Sequence, residues 1–583
     1  MDLETVKIKT LNPQEFNQKA SDLLSQLYPN QSTQVLEKLT GRIERIISFQ
    51  ENYNNPGLTN AYRSSHLLDH ETILITYGNS INKKKETGLV TLNRFLTKFV
   101  GQTISTLHLL PIFPFSSDDG FSVIDYKSID RQLGTWTDVS KLSDSYYLMF
   151  DAVINHVSRE SLWFKNFINE VSPENEYFIE ADPSEDYSMV VRPRALPLFT
   201  KVKTKSSEKF VWTTFSADQI DLNYQNPDLL IEMMSILLEY VKSGASIIRL
   251  DAIAYCWKKK KSKCTSLPET HALVKLIRLC LDQYAPGSRI ITETNVPHQE
   301  NISYYGKGDE ANLVYQFALP PLTLFSFRSG NAEKLMLWLM NLEEPPVGCM
   351  FFNFLSSHDG IGLMPVENIL NEEERHFIEK CTLESGGRLS YKDNGDGTLS
   401  AYELNINYQD ALASTNETDS IRIERFLSAE TFLISLKGVP GIYIQSLLGS
   451  RNNYYEMSTS GISRRINRGS IDYDILVKEL QTGGNRKIIF DELIRRLKIR
   501  SNHSALGVHS EQHVFSLDPV LISFERRSTL LGEEESIIVI INVSDENRTV
   551  NLGQSGLDLL TDQRKDYHFN IPPRSSVWLL LDK

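Results

Sequence analysis

"IIRLDAIAYCWKKK" (residues 247–260) begins as a buried β-strand and then breaks its own pattern by setting Arg249 and Asp251 among aliphatic residues. On a strand, positions two apart point to the same side, so both charges emerge together at one end of a sheet. Charges buried there are costly unless they are paired or used. Seven more apolar runs lie on either side of this one: "ILITYG" (73–78), "STLHLLPIF" (105–113), "YLMFDAVI" (147–154), "RIITET" (289–294), "NLVYQFAL" (312–319), "CMFFNFLSS" (349–357) and "GVPGIYIQ" (438–445). None alternates, as expected of parallel strands buried on both faces. Helical patterns stand between several of them, such as "PDLLIEMMSILLEYVKSG" and "THALVKLIRLCLDQYAPG", each ending in Gly as helices often do. Eight strand–helix units over ~370 residues predict an α/β chain built as a (β/α)8 TIM barrel.

Two intervals are too long for a single helix, ~90 residues between the third and fourth runs and ~80 between the seventh and eighth. An inserted subdomain is expected at about 157–215 and an acceptor-side loop region at about 365–430, within a barrel spanning 71–505. Residues 1–70 contain apolar positions at helical spacing in "SDLLSQLY" and "VLEKLTGRIERIISF", which predicts a helical arm. From 506 to 583 the texture changes to "VLISFERRS", "SIIVIINVS" and "SSVWLLLD" with turn residues between, which predicts a small antiparallel β-domain.

The 583 residues are 41% hydrophobic and 23% charged, an ordinary globular composition. A net charge of −13 argues against a general nucleic-acid binder, and the basic runs "KKKKSK" (258–263) and "NKKK" (82–85) are short enough to be solvated loops. Five cysteines without a CxxC pair fit reduced thiols, and no apolar run approaches the ~20 residues of a membrane span. The expectation is a cytoplasmic protein with small-molecule substrates, no nucleic-acid or membrane partner, and a monomeric or homodimeric state that composition leaves open.

In barrels of this kind the chemistry sits at the C-terminal ends of the strands. There the polar anomalies collect: Asp118 and Asp119 after the second run, Asn155 and His156 after the third, Arg249 and Asp251 at the fourth, Glu293 at the fifth, His358 and Asp359 at the seventh. Three carboxylates at one mouth suit glycosyl transfer, which uses one as nucleophile, one as proton donor and a third as an electrostatic stabiliser. Arg249 is expected to keep Asp251 ionised and oriented.

These residues resemble the motifs of the α-amylase superfamily, glycoside hydrolase family 13: "DAVINH", "IIRLDAIAY", "IITETN" and "FLSSHDG", in that order. "LHLLPIFPFSSDDGFSVIDY", "RPRALPLFT", "YQFALPPLTL" and "RRINR" are similar to the sucrose phosphorylase subfamily. The resemblance implies Asp251 as nucleophile, Glu293 as general acid/base and Asp359 as stabiliser, with Asp118, His156, Arg249 and His358 around the glucosyl ring. It implies Arg194 and Tyr402 on the phosphate or acceptor side, with Tyr255 beside them. A retaining pair would hold its carboxyl groups ~5–5.5 Å apart.

The subfamily's sucrose-specific members have histidine where this chain has Asn295 and an amide where it has Glu403. The versions present here, "ETNVPH" and "GSRN", resemble the glucosylglycerate, glucosylglycerol and sucrose 6-phosphate phosphorylases, with the overall likeness favouring the first. Arg464 and Arg465 are candidates for an anionic acceptor. No cofactor is implied. No required metal is expected either, although the resemblance puts Asn155 where amylases place a calcium ligand, and "DNGDG" (393–397) lacks the acidic twelfth position of a calcium loop. Two rival readings share much of this pattern: a hydrolase or transglucosidase of the superfamily, and an inactive member that only binds sugar.

Overall fold

A computed structural model of the chain describes residues 11–51, 70–394, 398–529 and 534–582. All eight apolar runs are strands of one closed parallel barrel. In chain order they are β1 (Ile73–Thr76), β2 (Thr106–Leu109), β3 (Tyr147–Val153), β4 (Ala245–Asp251), β5 (Arg289–Thr292), β6 (Leu313–Tyr315), β7 (Met350–Phe354) and β8 (Val439–Tyr443). Each pairs with its sequence neighbours, and β8 closes on β1. Every residue of β4 is buried, Arg249 and Asp251 included, because the strand is covered on both faces.

The arm forms two helices, α1 (Pro13–Leu27) and α2 (Ser32–Glu51). Asn12 caps α1 in a capping box with Glu15, and the helix buries Phe16, Ala20, Leu24 and Leu27. Phe16 meets Tyr284 edge to face on the barrel helix α4 (Pro268–Tyr284). α2 lies along α3 (Pro227–Lys242), where Arg42 reaches both Glu232 and Ser235. The rest of the expected arm, residues 1–10 and 52–69, lies outside the described residues.

Between β3 and β4 the chain forms a short helix, Leu162–Ile168, and a small antiparallel sheet of Glu180–Ala181, Phe199–Lys203 and Glu208–Trp212. The pair His156–Ser158 and Gln219–Asp221 ties both ends of this excursion to the barrel mouth. Between β7 and β8 run the helix Glu372–Glu384, an antiparallel hairpin (Arg388–Asp393, Leu399–Asn405) and the barrel helix α5 (Asp419–Ser435). Residues 395–397 of "DNGDG" lie outside the described residues. After the barrel, six antiparallel strands form a second sheet, docked on α5 through Trp578, whose indole N–H donates to Ser435 Oγ at 2.7 Å. Among the described residues no helix is long and apolar enough to cross a membrane.

Candidate active site

The strand ends of β2 to β7 open on one cavity of about 120 Å³. Asp118, His156, Arg194, Asp251, Tyr255, Glu293, Asn295, His358, Asp359, Tyr402, Glu403 and Arg464 all line it. Two sharp backbone turns aim the carboxylates. Ala252, directly after β4, takes a left-handed conformation (φ 49°), as do Asp118 and Asp119 (φ 51° and 49°). That conformation is strained for a residue with a Cβ and is held only where surrounding contacts impose it. At Ala252 it turns the peptide N–H onto Glu293 Oε2, 2.9 Å away.

Arg249 lies beneath the cavity rather than on its wall, at 2% exposure. Its Nη1 donates to Asp251 Oδ1 at 2.7 Å and also to Asp151, its register partner on β3. Nε donates to the Tyr315 hydroxyl at 3.1 Å, and Nη2 stands 4.0 Å from Glu293 Oε2. The charged pair in β4 is thus one part of a buried network that His108 completes from β2 through Asp151, 2.7 Å away. Burial raises the pKa of both Asp251 and Glu293, with the Glu293 carboxylate adding to the rise on Asp251 and Asp359 adding to the rise on Glu293. Arg249 opposes this on Asp251 by direct contact and on Glu293 only from a distance. Arg249 thus favours charge on Asp251 more directly than on Glu293, against a stronger burial effect on Asp251.

Asp359 is different. Burial would raise it, but His358, Arg464, Arg468 and Arg249 outweigh burial and hold the carboxyl well below the usual range. Burial likewise opposes charge on Asp118, which Arg194, Arg468 and Arg464 keep ionised. Burial disfavours the charged form of both histidines. Burial pushes His358 down to about 3 and lowers His156. The His358 ring stacks on Phe121 at 4.7 Å and 4°, so the cavity has a flat wall. His156 donates from Nε2 to the Phe121 carbonyl at 2.8 Å, which leaves Nδ1 to accept from Asn155 at 3.2 Å. Tyr255 and Phe215 meet in a T-shaped contact, and the Arg194 guanidinium lies over the Phe215 ring while reaching Asp118 Oδ2 at 3.2 Å.

Three expectations need correction. Arg465 does not face this cavity: it pairs with Asp119 and lines a separate pocket with Tyr77 and Asp130. Glu403 reaches the cavity lining but is 2% exposed, and both its oxygens are engaged within the protein, Oε1 by Arg464 and Gly360 and Oε2 by Arg464. The first residue of "KKKKSK" is not solvated. Lys258 is 5% exposed, and its ammonium sits between Asn155 Oδ1 (2.8 Å), Asp221 and the Tyr255 carbonyl. Its neighbours Lys259 and Lys260 do point outward, to Glu269 and Glu185. Asn155 thus gives its oxygen to a cation supplied by the chain itself, and that cation joins the β3 and β4 ends to the inserted sheet. Replacing Lys258 with Met is expected to destabilise the protein by about 3 kcal/mol in urea denaturation. This is the low end for breaking a buried pair, because Asp221 keeps the Thr214 N–H (2.8 Å) and hydroxyl (2.6 Å).

The residues missed from sequence are Asp151, His108, Phe121 and Arg468. Asp151 carried the same signal as Arg249, a charge inside an apolar strand. Arg468 carried none: it is 2% exposed only because Asp118, Asp119, Asp359 and the His358 carbonyl converge on it.

The α-amylase catalytic-domain family matches residues 98–359. Over 98% of its length the chain is 41% identical to the whole of a glucosylglycerate phosphorylase of Allomeiothermus silvanus. The chain belongs to the phosphorylase branch of the α-amylase family. A second member of that branch, the glucosylglycerate phosphorylase of Escherichia coli, is 40% identical over 94% of this chain and 97% of its own. Among solved structures, the sucrose 6F-phosphate phosphorylase of Thermoanaerobacter thermosaccharolyticum superposes with a TM-score of 0.71 over 82% of this chain and 95% of that one, at 22% identity. The likeness is one of fold.

Proposed function

We propose that the protein is a retaining glycoside phosphorylase that interconverts 2-O-α-D-glucosyl-D-glycerate and phosphate with α-D-glucose 1-phosphate and D-glycerate. The observation that carries the chemistry is the unequal grip of Arg249 on two carboxyls of one cavity, in contact with Asp251 and 4.0 Å from Glu293. One carboxyl is kept as an anion and the other is free to hold a proton. Asp251 attacks the anomeric carbon while Glu293 protonates the departing glycerate oxygen, leaving a β-glucosyl ester on Asp251. Phosphate then attacks the anomeric carbon from the other face, Glu293 takes the proton from the phosphate hydroxyl, and Asp251 leaves as the carboxylate. Two inversions give net retention. Asp359, ionised throughout, stabilises the positive charge that develops on the ring. Asp118, His156 and His358 surround the glucosyl unit, with Arg194, Tyr402 and Arg464 on the acceptor side. No step requires a cofactor. The choice of glycerate rests on the two relatives that match nearly the full chain.

All five cysteines are free and buried, which fits a reducing compartment, and we place the enzyme in the cytoplasm. The test is reverse phosphorolysis: α-glucose 1-phosphate with glycerate, glycerol, fructose or fructose 6-phosphate, following phosphate release against a no-acceptor control. Release that depends on glycerate is the expected result. Equal release without acceptor would make the enzyme a hydrolase, and release with another acceptor would rename the substrate.

A further inference from the structure

We propose that Glu403 is a positioning residue: it holds Arg464 in place as the receptor for the acceptor's negative charge, and so sets the preference for a charged over an uncharged acceptor. The inference rests on the phosphorylase reading and says how that site selects its acceptor.

Among the described residues only two arginines or lysines reach the cavity wall, Arg194 and Arg464. The Arg249 and Arg468 side chains lie behind it at 2% exposure, tied up by carboxylates. Arg464 is 22% exposed at the side chain, and its contacts leave a defined edge free. Nε and Nη2 form a fork on Glu403 at 2.9 and 2.8 Å, and Nη1 is ion-paired with Asp359 Oδ1 at 2.6 Å. A guanidinium has five N–H donors. Two are used by Glu403, so the remaining three sit on the two terminal nitrogens, where Asp359 is the only other partner within contact distance among the described residues. Two parallel donors of this kind match a carboxylate.

Glu403 is itself built in. It sits on the strand Leu399–Asn405, opposite Gly362 and Ser390, so the hairpin and the segment after Asp359 share it. The Gly360 N–H donates to its Oε1 at 2.7 Å. A Cβ on Gly360 would come within 2.4 Å of that oxygen, so only glycine lets the carboxylate approach so closely. An amide at position 403 would keep one acceptor but turn an NH2 group toward Arg464 Nη2, donor against donor. Arg464 would then swing onto Asp359 alone, neutralising it further and withdrawing the free edge from the acceptor. This explains why a fully buried residue changes what the cavity accepts.

The experiment compares wild type and Glu403→Gln in the reverse reaction with D-glycerate and with glycerol, which differ by a carboxylate against a hydroxymethyl group. The expected result is a fall of about tenfold or more in the glycerate-to-glycerol ratio of kcat/KM, carried by KM for glycerate. Arg464→Lys, which keeps the charge but loses the fork, is expected to lower the same ratio and serves if the first variant does not fold. An unchanged ratio in both variants overturns the proposal, whatever the absolute rates. A rise in KM for inorganic phosphate without a change for glycerate overturns it too, since Arg464 would then serve phosphate. If the wild type uses fructose 6-phosphate in place of glycerate, the glycerate reading fails but the charge test stands, with fructose as the uncharged partner. A wild type that prefers uncharged acceptors overturns both.

Discussion

Asp251→Asn is expected to reduce phosphorolysis by on the order of 10⁴-fold or more while leaving the fold intact. The amide has the shape of the carboxylate but cannot form the glucosyl ester, so the two-step path closes, and what survives is catalysis by the remaining groups. The fold should persist because Arg249 retains Asp151 and Tyr315 as partners, so the substitution strands no buried cation. The measurement is steady-state phosphate release from α-glucose 1-phosphate with acceptor, beside far-UV circular dichroism and a thermal midpoint. Turnover within tenfold of wild type, with an unchanged spectrum, would remove Asp251 from the role of nucleophile. Collapse of the fold would instead mean that the β4 charge pair is structural.

The barrel was legible because its strands are covered on both faces, so each is an unbroken apolar run that needs no partner to be recognised. Arg249 and Asp251 stood out for the same reason: a charge inside such a run has no cheap explanation. What escaped lies in loops, where a side chain's surroundings come from distant parts of the chain. Lys258 reads as one of four similar lysines, yet its partner Asn155 is 103 residues away and buries it. Arg464 and Arg465 are adjacent in sequence and equally plausible as anion receptors, but Glu403, 61 residues away, turns one into the cavity, and Asp119, 346 residues away, turns the other out of it. Glu403 looked like a ligand contact because it replaces an amide. Its burial follows from a hairpin register that local spacing does not specify.

Glu430 makes the protein's stability depend on pH in a direction opposite to that of an ordinary paired carboxylate. It lies on α5 at 1% exposure, its Oε2 meets no partner, and its carboxyl is hydrogen-bonded to Ser446. The groups that face it are the Ser446 hydroxyl and the Tyr408 phenol, neither of them a cation. Burial therefore pushes its pKa up to about 8. The native state holds this proton up to that pH, whereas the unfolded chain releases it near the ordinary 4.5. Between those values the native state binds more protons than the unfolded one, so stability falls as pH rises, and above about 8 the loss is complete. At ~1.4 kcal/mol per pH unit the full effect is on the order of 5 kcal/mol. Glu430→Gln keeps the shape and removes the titration. It is expected to be nearly neutral at pH 4.5 and increasingly stabilising relative to wild type toward pH 8 and beyond, measured as the difference in urea midpoints. A difference that does not change with pH would mean that Glu430 is ionised in the folded protein. The consequence reaches the active site, because Ser446 Oγ lies 2.8 Å from Ser356 Oγ and both Ser356 and Tyr408 line the cavity. A charge forced onto Glu430 would draw both hydroxyls toward itself, so wild-type activity should decline above pH 8 over a limb that Glu430→Gln lacks.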